Sequence, residues 1–261
     1  MSKQTITSIQ KAKGIQKLAM ITAYDALFAG IFNKEVDFIL VGDSLNMSFG
    51  GNSDTLSIGI DEMIYHTKAV CNGAPDTFVI CDMPFGTYID NQTALLNSIR
   101  VYKETNADAV KIEGGKEKAG IIKYLTSNSI AVVGHIGLMP QNVRSEGGYK
   151  IKGKNETNIK SLIEDAKAIE EAGAFLLVIE GVKPDAAKAV TDTVNIPVIG
   201  IGAGVDTDGQ VLVWSDLLGL FERLPKFVRK YMDGGDLVKQ SVKKYVSDVQ
   251  NKSFPSKEET Y

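Results

Sequence analysis

Short apolar, β-branched runs recur along this chain, and a stretch with helical spacing follows most of them. That alternation limits the fold more than any single motif does, because strands joined by crossover helices assemble into a parallel sheet. Strands are expected at 18-22, 36-41, 77-81, 109-112, 130-134, 174-179, 196-200 and 211-214. Helices are expected at 24-34, 61-72, 91-106, 117-127, 158-172, 184-193 and near 236-249. Residues such as Asp61 and Asn91 mark helix starts, and Gly73 and Gly173 mark ends. Eight such units predict an α/β fold of the (β/α)8 TIM-barrel type. The eighth strand is the least marked, since 201-216 is rich in Gly and Asp. A doubly wound open sheet is the alternative. Against it, no GxGxxG opens the first helix, and polar residues end many different strands rather than gathering at one switch point.

The 261 residues suffice for a barrel, so one domain over 1-261 is expected. Lys and Arg number 29 against 32 Asp and Glu, a net charge of -3, with no basic run interleaved with aromatics; nucleic acid is an unsuitable partner. Cys71 and Cys81 lack CxxC spacing, and a domain of this size needs no disulfide, which fits a reducing cytoplasm. The first residues, MSKQTITSIQKAKGIQK, lack the apolar core of a secretory signal, and no apolar run reaches the roughly eighteen residues of a membrane span.

The strand ends carry Asp43 and Ser44 in VGDS, Asp82 in VICDMPF, Glu113 in VKIEGG, His135 in VVGHIG and Glu180 in LLVIEG. Outward positions of a barrel strand meet helices and should be apolar, so Val110 and Ile112 point out while Lys111 and Glu113 point in. An Asp after a strand often caps a helix or closes a turn, and for any one residue that reading has equal weight. Four carboxylates on one rim need more: a cation, a shared proton or a basic neighbour. A hard divalent ion with oxygen ligands answers that need. Magnesium accepts one or a few carboxylates and keeps water or substrate oxygens in its shell, a role that suits Asp43, Asp82 and Glu113. Zinc is disfavoured, because the only histidines are His66 and His135 and neither is paired with another His or Cys. His66 is read as structural or surface. His135 stays open between the site and structural hydrogen bonding. Two longer connections, 43-60 and 136-157, are rich in Gly, Ser and Asn, as loops that cover a site often are.

The motifs resemble those of ketopantoate (3-methyl-2-oxobutanoate) hydroxymethyltransferases nearly end to end. They include MITAYDALFA at 20-29, LVGDSLNM at 40-47, DEMIYHTKAV at 61-70, GAPDTFVICDMPF at 73-85, VKIEGG at 110-115 and VVGHIGLMPQ at 132-141. GGYKIKG at 147-153, LLVIEGV at 176-182, IPVIGIGAG at 196-204, DGQVLVWSDLLG at 208-219 and LPKFVRKY at 224-231 continue the match. The resemblance implies a barrel of the phosphoenolpyruvate/pyruvate superfamily. It implies transfer of a hydroxymethyl group from 5,10-methylenetetrahydrofolate to α-ketoisovalerate, giving ketopantoate at the start of pantothenate synthesis. On matching positions it places Asp43, Asp82 and Glu113 around Mg2+ and assigns Asp43, Ser44, Asp82 and Lys111 to substrate binding. It makes Glu180 the proton acceptor of a step through a Mg-stabilised enolate, and implies a homo-oligomer, commonly a decamer. A lyase or phosphonomutase acting on an α-keto acid is the enzymatic rival on this scaffold, and a non-catalytic keto-acid or folate-binding barrel is the rival of another class. Glu180 discriminates against the first, and the intact acids argue against the second.

Overall fold

A computed structural model describes residues 3–261. The chain divides into two compact units, one ending at Leu212 and one of Val213–Tyr261. The sequence reading took 1-261 as a single barrel domain; all the barrel strands lie in the first unit.

The strands are β1 (Leu18–Thr22), β2 (Phe38–Val41), β3 (Phe78–Asp82), β4 (Ala109–Glu113), β5 (Val132–Gly137), β6 (Leu176–Glu180), β7 (Val198–Ile201) and β8 (Gly209–Leu212). All pair in parallel and in chain order, and β8 closes on β1. The expected (β/α)8 barrel is therefore present, with strand boundaries within about three residues of those read from sequence. The last strand runs 209–212 rather than 211–214, because Trp214 already begins a helical turn, Trp214–Leu217. No helix separates β7 from β8.

Side chains alternate between the lumen and the outer wall. Leu18, Met20, Phe38, Leu40, Phe78, Ile80, Val133, Leu176, Val178, Ile199 and Val211 form one buried cluster. Phe78 sits edge-on to both Phe38 and Phe175, with ring centroids 5.9 and 5.8 Å away. Each such side chain stabilises the fold by about 1.5–3 kcal/mol on burial. Two residues further along the same faces the lumen turns polar: Ile80 is followed by Asp82, Ala109 by Lys111 and Glu113, Val133 by His135, Val178 by Glu180. The apolar plug thus forms the floor on which a charged layer rests.

The opposite rim is stitched by three other acids, each just before an even-numbered strand. Asp37 Oδ2 accepts the Ala19 N–H at 2.8 Å, Asp108 Oδ2 the Val79 N–H at 2.9 Å, and Asp208 Oδ2 the Val198 N–H at 2.8 Å. Asp208 also accepts from Lys13 Nζ at 2.8 Å and from the Gly14 N–H at 3.1 Å. These carboxylates satisfy strand-end amides that the ladder leaves unpaired.

The second unit holds the turn Trp214–Leu217 and the helix Gly234–Gln250, with residues 217–219 bonded to 231–235 through backbone N–H groups. Among the described residues no helix is long and apolar enough to cross a membrane.

Replacing Asp208 leaves three donors at the seam between β7, β8 and the N-terminal segment without their acceptor. Asp208→Ala is expected to lose about 2–4 kcal/mol of stability, read from urea unfolding; a loss below about 0.5 kcal/mol would show that the seam does not depend on it.

Candidate active site

The polar layer centres on Lys111, whose side chain is 4% exposed. Its Nζ lies 3.2 Å from Asp82 Oδ1, 3.9 Å from Glu113 Oε1 and 3.1 Å from His135 Nδ1. Neighbouring strands bring these residues together, since Lys111 is level with Asp82 on β3, and Glu113 with His135 on β5. Asp43 joins from the turn after β2, where its backbone N–H donates to Asp82 Oδ2 at 3.1 Å. Ser44 lies beside it, its Oγ 2.8 Å from Tyr24 Oη. Gly42 permits the close approach: a β-carbon there would stand 2.8 Å from Ser44 Oγ and 3.5 Å from Asp82 Oδ2.

Glu180 ends β6 and is reached through His135, whose Nε2 is 3.4 Å from Glu180 Oε2 while Nδ1 is 3.5 Å from Glu113 Oε1. In a neutral ring, Nδ1 accepts from the Lys111 ammonium and Nε2 carries the proton; in a charged ring both nitrogens carry one. Either way Nε2 carries its proton on the Glu180 side, in an orientation that makes no aligned hydrogen bond. The β5–β6 approach that sets this distance needs Gly137, at φ 97°, where a β-carbon would fall 2.3 Å from the Glu180 carbonyl oxygen.

Six predicted residues thus occupy one end of the barrel: Asp43, Ser44, Asp82, Lys111, Glu113 and, through His135, Glu180. Sequence reasoning left His135 open and missed Gln141 and Tyr88. The Gln141 Nε2 group donates to Asp43 Oδ2 at 2.9 Å and to the Met83 carbonyl at 3.0 Å, and its backbone N–H donates to Glu113 Oε2 at 3.1 Å. Tyr88 Oη donates to Gln141 Oε1. The available signal was the position of Gln141 in the Gly- and Asn-rich segment after β5.

Charge is unevenly shared. Burial alone would lower the Lys111 pKa, but Asp82, Glu113 and Asp43 outweigh it and hold the ammonium above its ordinary pKa. Burial, then Asp82 and Glu113, push the Asp43 carboxyl well above its usual range. Burial also raises Asp82, against the pull of Lys111. Glu113 goes the other way: burial is outweighed by His135, Lys111 and the Gln141 N–H. One ammonium therefore does not balance the acids, and Asp43 is the group worst served. Asp82 Oδ1 is buried and receives no aligned hydrogen bond. Two adjacent hard-oxygen donors with excess negative charge suit a divalent cation such as magnesium. Among the described residues no three acidic, imidazole or thiol groups converge on one point, so such an ion would draw the rest of its shell from substrate and water.

A Lys111→Met variant tests this charge balance. Without the ammonium all three carboxyl pKa values rise, and a raised carboxyl pKa favours the fold only while the proton stays on. The penalty should be small at acid pH and grow to about 3–5 kcal/mol as pH rises through those values, seen by urea unfolding across pH 4.5–8. A pH-independent penalty would contradict the assignment.

Residues 3–257 match the ketopantoate hydroxymethyltransferase family. The 3-methyl-2-oxobutanoate hydroxymethyltransferase of Aliarcobacter butzleri is 65% identical, with 99% of this chain and 97% of that protein aligned. That of Helicobacter pylori strain G27 is 58% identical over 99% of this chain and 96% of its own. Among solved structures, a phosphoenolpyruvate phosphomutase from Streptomyces platensis subsp. rosaceus superposes with a TM-score of 0.66 at 13% identity, covering 94% of this chain and 88% of that one. A phosphonopyruvate hydrolase in complex with oxalate and Mg2+ gives 0.63 at 12% identity, covering 99% and 93%. Those two likenesses concern the fold alone, whereas the matches over the full length settle the family: the chain belongs to the ketopantoate hydroxymethyltransferases.

Proposed function

We propose that the chain converts α-ketoisovalerate to ketopantoate with 5,10-methylenetetrahydrofolate as one-carbon donor, Mg2+ as metal and Glu180 as base. The observation that carries the reading is the division of the polar layer, with Asp43, Asp82 and Lys111 on one side and Glu180 set apart behind His135. An α-keto acid brings a carboxylate and a ketone to the first group. Its C3 proton is only weakly acidic and needs a base on the other side.

Asp43 and Asp82 would hold the metal, and Glu113, occupied by His135 and the Gln141 N–H, would act on it from further out. A divalent cation there supplies Lewis acidity, drawing charge from the keto acid. Lys111 neutralises the substrate carboxylate, and Ser44 donates a hydrogen bond to it. Glu180 removes the C3 proton, with the His135 ring 3.4 Å behind its carboxylate. Water adds to the methylene carbon of the donor, both of its C–N bonds break to release formaldehyde and tetrahydrofolate, and C3 adds to the formaldehyde carbon, whose oxygen takes up a proton to become the hydroxyl. The homo-oligomer expected of the family is part of this reading; it is supported by the helix Gly234–Gln250, which leaves Leu237, Val238, Val242, Tyr245, Val246 and Val249 exposed.

In D2O with Mg2+, wild-type protein should exchange the C3 proton of α-ketoisovalerate, and Glu180→Gln should slow that exchange by about 10²-fold or more. Exchange at the normal rate in Glu180→Gln would remove it as the base. Metal affinity supplies a second check. A cation needs ionised Asp43, whose proton burial and neighbouring acids hold to higher pH than usual, so Mg2+ should bind more tightly as pH rises from 5 to 8 in a calorimetric titration. A flat profile would argue that Asp43 is not a ligand.

A further inference from the structure

Two substrates must meet at C3, so the donor needs a place beside the acid cluster that the keto acid does not fill. Two cavities lie there, and neither is lined by Asp43, Asp82 or Lys111. The larger, about 380 Å³, is bounded by Leu56, Ser57, Phe85, Gln141, Asn142 and Arg144. The smaller, about 140 Å³, reaches Glu113 and shares Phe85, Gln141 and Asn142 with the first. Gln141 is the common wall. On its far side it bonds Asp43 and Glu113, so a ligand in the larger cavity stands one side chain away from the acid cluster.

The walls of the larger cavity come from the segments after β2, β3 and β5. Arg144 ties two of them together, its Nε and Nη2 groups donating to Asp54 Oδ2 at 3.1 and 2.9 Å. Asp54 in turn accepts the Leu56 N–H, and Asn46 holds the Asp54 carbonyl at 2.7 Å and Ser57 Oγ at 2.9 Å. The cavity is therefore built rather than a gap between loose loops. Its size falls in the range of cofactor sites, far above what a five-carbon keto acid fills. Phe85 projects into it 54% exposed, a large apolar ring that the fold leaves uncovered. Among the described residues the Asn142 side-chain amide makes no hydrogen bond. A flat heteroaromatic ring with an edge of alternating N–H and C=O groups matches that pair of features, and the Arg144 side chain, 73% exposed, suits a carboxylate tail leaving the cavity.

We propose that this cavity binds the one-carbon carrier, a reduced pterin, with its ring on Phe85, its polar edge at Asn142 and its carboxylate tail passing Arg144. The placement rests on the reading of the chain as a one-carbon transferase. The smaller cavity, too small for a two-ring system, is left to the path of the transferred carbon.

Tetrahydrofolate binding to the full-length, Mg2+-loaded protein tests it by isothermal titration. Phe85→Ala should raise the Kd for tetrahydrofolate about tenfold, and Phe85→Tyr should restore it. Asn142→Ala should raise it about threefold, with the Kd for α-ketoisovalerate within twofold of wild type in all three variants. Wild-type tetrahydrofolate affinity in Phe85→Ala overturns the placement, as does an equal loss for both ligands or no binding to the unaltered protein. An unaltered chain that binds tetrahydrofolate yet forms no ketopantoate would defeat the underlying reading, while the Phe85 comparison would still decide the placement.

Discussion

The Lys111 ammonium is what allows this barrel to end in acids. Three carboxylates lie buried around it, and without a cation among them their ionised forms could not leave water at a tolerable cost. The lysine is itself kept charged by the groups it neutralises, so each side of the arrangement depends on the other. Because Lys111 sits in mid-strand on β4, its position is set by the sheet and not by a loop. The charge centre is consequently as rigid as the barrel wall.

Acids serve two different ends of the same barrel. Asp37, Asp108 and Asp208 stand just before strands and take backbone N–H groups, which ties the lower rim. Asp43, Asp82, Glu113 and Glu180 stand at the opposite ends, where Asp82 Oδ1 is buried without an aligned hydrogen bond and a single ammonium serves three of the acids. Full satisfaction marks a structural carboxylate; incomplete satisfaction under burial marks one held ready for something else. The same residue type is thus sorted by which end of the strand it occupies, as expected of a barrel whose chemistry gathers at one face.

Much of this was legible in the sequence because the signals are periodic. An alternation of two puts Lys111 and Glu113 on the face continued from Ala109, and the eight apolar runs give the strand count and order. The resemblance added the roles. What remained hidden depended on contacts between residues far apart in sequence. His135 could be placed on a strand but not assigned, because its neighbours Lys111, Glu113 and Glu180 come from β4 and β6. Gln141 lies in a segment without regular spacing, so nothing local indicated that its amide would meet Asp43, 98 residues away. His66 resolves as structural: its Nδ1 lies 2.6 Å from the Tyr24 carbonyl.

Gln141 also has a thermodynamic meaning. Its amide takes up Asp43 Oδ2 from inside the protein, so the chain carries its own competitive ligand for that oxygen. Anything that claims Asp43 Oδ2 must first displace the Gln141 amide, which the Met83 carbonyl and the Tyr88 hydroxyl hold in place. Measured affinity is then the intrinsic affinity multiplied by the fraction of molecules in which this internal competitor has let go. Selectivity gains by the same device, since a ligand too weak to displace an amide does not reach that oxygen.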